Sequence, residues 1–251
     1  MKSLLIIFTM LFPLFFLGAC QKKEVNPPAE GFNLTGSDEK AIAIADGVME
    51  ACGGRTNWDK TRYLSWVFAG NRKHVWDKQT GDIRIESKKD STVYLMNIQT
   101  MQGRVRQNAS EVTDTAALSA LLKKAYGMWV NDSYWLVMPF KMKDTGVTLK
   151  YIGESKTTDE RPADVVAMTF EKVGVTPKNK YHIFVDKESK LITEWSFYSD
   201  ASVDTVNFTL PWKNYQKYGG LLLSGDRERL QLTEISVDET PPDGVFTEFD
   251  L

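Results

Sequence analysis

Alternation in twos dominates this chain. Apolar residues recur at alternate positions in Tyr63 to Phe68, His74 to Asp77, Ile83 to Glu86, Thr92 to Ile98, Trp135 to Val137, Val147 to Ile152 and Val165 to Phe170. The same period returns in Tyr181 to Val185, Leu191 to Tyr198, Val203 to Leu210, Leu221 to Leu223 and Arg229 to Ser236. Successive strand side chains point to opposite faces, so each stretch reads as a half-buried strand. The polar connections Asp77-Lys78-Gln79-Thr80-Gly81 and Asp186-Lys187-Glu188-Ser189-Lys190 have hairpin length, so consecutive strands are expected to be antiparallel neighbours. Two stretches follow the helical period instead. Ile42, Ala45, Met49 and Cys52 share one helix face, with Ser37 as the expected cap and Gly53-Gly54 as the stop. A second helix is expected from about Thr115 to Tyr126, capped by Asp114, burying Leu118, Leu121, Leu122 and Ala125, and ended by Gly127. The fold class is therefore mainly β with two helices. A strongly twisted sheet with this many strands curls, so the expected form is a curved antiparallel sheet, or unclosed β-barrel, with helices covering one face.

The first residues follow neither period. Met1 and Lys2 precede an almost unbroken apolar run from Leu4 to Phe16, and Leu17-Gly18-Ala19 leads into Cys20. A basic start, an apolar core and small residues before a cut site make a secretory leader, expected over residues 1–19. The run is shorter than the roughly 20 apolar residues needed to span a bilayer. Leu17-Gly18-Ala19-Cys20 resembles the bacterial lipobox, which implies that Cys20 is acylated and becomes the first residue after cleavage. Each buried methylene contributes about 0.8 kcal/mol, so two or three acyl chains hold a protein on a membrane almost irreversibly. Gln21 stands where many lipoproteins of the inner membrane carry Asp, so the resemblance implies the outer membrane, with the domain facing the periplasm or the surface. Residues 20–36 are polar, contain Pro27 and Pro28 and lack periodicity, which reads as a flexible tether. No linker divides the remainder, so 37–251 is expected to be one domain.

Composition narrows the function classes. The formal net charge is -2, which offers no basic field for nucleic acid. With Cys20 acylated, Cys52 has no disulfide partner and reads as a small buried hydrophobe. His74 and His182 are the only histidines, too few for a histidine-based metal site or catalytic triad, and both read as ordinary strand residues. Asp77, Gln79, Gly81 and Asp82 fail the spacing of a calcium loop. Asp226, Arg227, Glu228 and Arg229 read as a solvated charged turn. No nucleophile elbow, phosphate loop, dinucleotide fingerprint or Cys-x-x-Cys pair occurs. No cofactor, no metal and no enzymatic activity are expected.

Seven tryptophans make up part of the aromatic content, and Trp66, Trp76, Trp129, Trp135, Trp195 and Trp212 lie in or beside expected strands. Large aromatics at alternate strand positions usually form core, and they also line grooves for apolar ligands. Trp66, Trp76, Tyr94, Trp135 and Trp195 are the candidate ligand-binding residues, with methionines such as Met96 and Met168 adding adaptable surface.

Asn131-Asp132-Ser133-Tyr134-Trp135-Leu136-Val137-Met138-Pro139-Phe140, then Gly146-Val147-Thr148-Leu149-Lys150-Tyr151, Tyr181-His182-Ile183-Phe184-Val185-Asp186-Lys187 and Leu191-Ile192-Thr193-Glu194-Trp195 resemble a family of Bacteroidetes lipoproteins. Trp66-Val67-Phe68-Ala69-Gly70, His74-Val75-Trp76-Asp77 and Gly81-Asp82-Ile83-Arg84 fit the same pattern. That family looks related to the LolA/LolB lipoprotein-localisation superfamily. The resemblance implies an unclosed antiparallel barrel whose helices plug an apolar concavity that accepts acyl chains. The shared motifs are structural, and such motifs identify a fold better than an activity. The expected function is therefore a membrane-anchored, monomeric binder of a lipid or acylated protein. The alternative is an envelope scaffold whose interior its own side chains fill, and a carboxylate hydrolase would need two acids converging in an open cleft.

Overall fold

The computed structural model describes residues 25–251. The expected leader and Cys20, the expected acylation site, lie outside the described residues. Two helices come first, α1 (Glu39–Ala51) and α2 (Arg55–Lys60), followed by β1 (Tyr63–Phe68), β2 (Arg72–Asp77), β3 (Asp82–Ser87), β4 (Thr92–Asn97), β5 (Gln102–Gln107) and β6 (Ser110–Glu111). The long helix α3 (Thr115–Val137) and a short 3-10 turn (Met138–Phe140) lead into β7 (Val147–Lys156), β8 (Pro162–Phe170), β9 (Lys180–Asp186), β10 (Ile192–Tyr198) and β11 (Phe208–Pro211). β12 (Lys213–Tyr218), β13 (Leu221–Asp226) and β14 (Leu232–Asp238) complete the order.

The strands form a seven-stranded sheet, β14-β1-β2-β3-β4-β5-β6, a five-stranded sheet, β11-β10-β9-β8-β7, and the hairpin β12-β13. All pairs are antiparallel, and the curved sheets do not close into a barrel. α3 packs against β4, β5 and β13, while α1 packs against β7 and the 3-10 turn. One continuous core joins both larger sheets and includes Trp66, Tyr94, Leu136, Trp195 and Trp212.

Several expectations change. Three α-helices occur among the described residues rather than two. The added one, α2, is a polar single turn and a half whose buried residue is Trp58, too short to show a period. α3 does not stop at Gly127 but runs ten residues further, so Trp135 to Val137 end a helix and form no strand. A helical glycine costs about 1 kcal/mol relative to alanine. Burial of Asp132, Ser133, Leu136 and Val137 beyond it outweighs that cost, and Pro139 closes the element. Val203 to Asn207 form a loop, so only Phe208 to Pro211 pair as a strand there. β5 and β12 carry mainly polar outward side chains, which hides their alternation.

The expected tether is also shorter than its composition suggests. Asn26 is buried and donates to the Asp46 carboxylate at 2.7 Å, Phe32 is buried, and Asn33 donates its N–H to Val147 O at 3.0 Å. Ser37 does not cap α1. Its hydroxyl donates to Asn33 O and accepts from Leu149 N–H, while Asp38 occupies the cap position and accepts from Tyr151 N–H. These bonds cover the outer edge of β7, which removes an open strand edge.

Candidate functional site

Pairing in the five-stranded sheet sets Val147 opposite Phe170, Met168 opposite Tyr181, Tyr181 opposite Phe197, and Phe197 opposite Phe208. Directly opposed residues share a face, and so do residues two apart. Val147, Phe170, Tyr181, Trp195, Phe197 and Phe208 therefore project from the same inner face. α3 faces them with Tyr126, Trp129, Val130, Ser133 and Tyr134, a spacing that keeps five side chains on one side of a helix. Between α3 and this sheet lies a cleft of about 920 Å³.

The walls are ordered ring on ring. Tyr181 stacks on Trp195 at 5.0 Å and 11°, and Trp135 meets Trp195 edge to face at 4.8 Å and 85°. Phe208 stacks on Phe197 at 5.0 Å and on Trp135 at 5.9 Å, and Tyr134 lies 5.7 Å from Tyr181. Such contacts fix the ring planes before any ligand arrives. Burial raises the Tyr134 phenol well above its ordinary range and pushes Tyr181 up to about 12, so both stay neutral. Lys141, Asp144, Thr176 and Asn179 supply polar groups at the margin, with Lys141 and Asp144 paired to each other.

A half-buried arginine, Arg72, and a fully buried one, Arg227, fix α3 behind the cleft. Asp132 is fully buried and accepts from Arg72 through Nε at 2.6 Å and Nη2 at 2.8 Å, and from His74 Nε2 at 2.7 Å. Burial would raise the Asp132 carboxyl, but the His74 and Arg72 hydrogen bonds hold it below its usual range. Burial lowers the His74 pKa, so a neutral imidazole donates to an ionised carboxylate. Arg227 holds the last turn. It donates from Nη2 to the Trp135 carbonyl at 2.7 Å, from Nη1 to Ser224 Oγ at 2.8 Å, and sits 3.5 Å over the Trp212 ring. A cation at a helix C-terminus meets the negative end of its dipole. Burial brings Arg227 down to about 9, which leaves it charged at neutral pH. The expected solvated turn at 226–229 thus contains a residue with no exposed surface, because its guanidinium serves the helix end.

No protein-family model matches this sequence, and no curated protein matches it. The likeness is structural only. The fold is similar to that of a DUF1329 family protein from Desulfovibrio piger, with 13% identity, 82% of this chain and 96% of that chain covered, and a TM-score of 0.44. It is also similar to a LolA superfamily protein from Nitrosomonas europaea, with 10% identity, 84% and 99% covered, and a TM-score of 0.39.

Of the five candidate ligand residues, Trp135 and Trp195 line the cleft. Trp66, Trp76 and Tyr94 lie in the core on the seven-stranded sheet instead. Trp66 stacks on His74 at 4.6 Å, Trp76 meets Trp129 edge to face at 5.3 Å, and Tyr94 is fully buried. The sequence reading missed Tyr134, Phe170, Tyr181, Phe197 and Phe208. Alternation of Trp195 with Phe197 was a usable signal for the sheet wall, whereas Tyr134 was lost with the helix beyond Gly127. Asp144 is the sole carboxylate among the described lining residues, and no described cluster of His, Cys, Asp or Glu could hold a metal.

Proposed function

We propose that this protein is a non-enzymatic lipoprotein of the cell envelope, anchored through Cys20, that holds a lipid or the acyl chain of a modified protein in the cleft between α3 and β7 to β11. The observation that carries this reading is the 920 Å³ cleft walled by aromatic rings. Its volume falls in the range of small-molecule sites, about 300–1,000 Å³. Transfer of an apolar chain from water supplies the driving force. Rings already stacked on one another lose little freedom when the ligand enters. The polar margin at Lys141, Asp144, Thr176 and Asn179 suits a headgroup that stays at the mouth.

The anchored state follows from the lipobox resemblance of Leu17-Gly18-Ala19-Cys20 and requires no spanning helix. Among the described residues no helix is long and apolar enough to cross a membrane. Residues 1–19 would be removed, a short tether would follow Cys20, and the domain would act as a monomer at the outer membrane. A scaffold with a filled interior fits less well, since the protein's own side chains leave this volume open.

Uptake of a fluorescent fatty acid tests the reading. Binding that saturates at one site, and is blocked by Val130→Trp on the cleft face of α3, is the expected result. No uptake, or uptake indifferent to Val130→Trp, would overturn it.

A further inference from the structure

After β14 the chain passes Pro241 and Pro242 and runs over the outer face of the seven-stranded sheet without joining it as a strand. Side chains hold it there. Arg84 on β3 donates from Nη1 to Glu248 O at 2.6 Å and to Val245 O at 3.3 Å, and from Nη2 to Phe249 O at 2.8 Å. Arg104 on β5 donates to Thr247 O at 3.1 Å, and Arg106 donates to the Asp250 carboxylate at 2.8 Å and to Phe249 O at 3.3 Å. The Arg104 and Arg106 guanidinium groups lie 4.7 and 5.2 Å from the Phe249 ring centroid.

Register explains how these arginines converge. Arg84 is opposite Leu95, and Leu95 is opposite Arg104, so all three point away from the core that Ile83, Ile85 and Tyr94 face. Val75, opposite Arg84, extends the same row. Leu95 is only 3% exposed and Val75 8%, with Val245 at 2%. The outer face is thus an apolar strip edged by guanidinium groups, covered by a turn-forming segment, with Val245, Thr247 and Glu248 N–H groups bonded to Pro242 O and Gly244 O, that carries acids and an aromatic.

We propose that this face is a docking site for an acidic–aromatic peptide of a partner protein that adopts the same turn, and that residues 243–250 occupy it as a displaceable stand-in. The chemistry of the contacts selects that class. Arginines that bond to main-chain carbonyls hold a backbone of this shape whatever its side chains are. Selection comes from a ring held between two cations, followed by a carboxylate. Charge complementarity fits as well, because Asp250 pairs with Arg106 and Glu248 lies near Arg104, which also pairs with Glu111 on β6. The resident segment is held unevenly. Arg84 is 2% exposed, whereas the Asp250 side chain is 89% exposed and its pairing with Arg106 is screened by water. A competing peptide would enter at the Phe249 end and peel the segment toward Pro242. This site lies on the opposite side of the sheet from α3 and does not depend on the cleft.

The test uses the full chain with Phe249→Ala and Asp250→Ala, and a fluorescein-labelled peptide of the sequence of residues 243–251 as probe, read by anisotropy. Hydrogen exchange over 244–250 should rise in this variant, and the peptide should bind it about tenfold or more tighter than it binds the unaltered protein. Adding the exposed-side pair Arg104→Ala and Arg106→Ala should remove that gain with the fold retained, and Arg84→Ala should do the same if it folds. A scrambled peptide should not compete. Unchanged exchange, no gain in peptide binding, or binding seen only as exchange of segments between two copies with a concentration-dependent dimer would overturn the proposal.

Discussion

Arg227 donates to the carbonyl of Trp135 across 2.7 Å from a site with no exposed surface. The same tryptophan turns its ring to Trp195 in the cleft wall. One residue therefore sits in the last turn of a helix, receives a buried cation and shapes the candidate site.

Arg227→Lys tests that coupling. Lysine keeps the charge but cannot reproduce a planar fork that serves Trp135 O, Ser224 and Asp226 O together. The expected cost is about 2 kcal/mol of stability, from main-chain acceptors left unpaired in the interior. Affinity for an apolar ligand should fall with it. Urea denaturation and ligand titration on the same sample check both; equal stability with unchanged affinity would separate the helix end from the cleft.

His74 makes the fold acid-sensitive in a defined window. Burial is the main influence and lowers its pKa below the ordinary 6.5, against the opposing pull of Asp132. Above 6.5 the imidazole is neutral in the folded and unfolded chain alike. Below it the unfolded chain binds a proton that the folded chain refuses, so stability falls as pH falls. Asp132, whose folded pKa is lowered from 3.8, contributes fully above that value and loses its part only at lower pH. His74→Gln, which still donates to Asp132, should show a smaller loss between about pH 7.5 and about pH 5.5 than the unaltered protein. Equal losses would contradict the buried neutral assignment.

Asp132→Asn should be more damaging than either. It leaves Arg72 without its carboxylate on a half-buried face, and breaking such a pair costs about 3 kcal/mol. Thermal unfolding should report the loss. Arg72→Met together with Asp132→Leu should recover part of it, since an apolar pair removes both charges.

Much of the fold was legible because its strands alternate cleanly. The hairpin series β1 to β4 and β7 to β10 follows from residues such as Trp66, Ile83, Ile85, Tyr181 and Ile183 recurring in twos. Gly127 misled because a local helix penalty says nothing of tertiary burial, and Asp132 looked polar while being a buried anchor. Arg227 sat in an alternating charge run, and charge pattern alone does not reveal that one member turns inward. For the site, all candidate tryptophans had the same local signature. Only the three-dimensional placement of Trp195 on the five-stranded sheet and Trp135 on α3 divides them from Trp66 and Trp76 on the seven-stranded sheet.

That division is itself testable. Trp135→Ala removes a cleft wall and should weaken apolar-ligand binding by about 1–2 kcal/mol. Trp66→Phe removes part of the core beside His74 and should lower stability while leaving affinity unchanged. Paired isothermal titration and denaturation resolve the two, and the reverse pattern would move the site to the seven-stranded sheet.

Native mass spectrometry of the full protein, extracted gently from the membranes in which it is made, tests lipid holding by the cleft most directly. The account predicts a stoichiometric lipid-sized adduct, beyond the Cys20 modification, that Val130→Trp eliminates without unfolding the protein. An adduct-free spectrum, or one that Val130→Trp leaves unaltered, would contradict it.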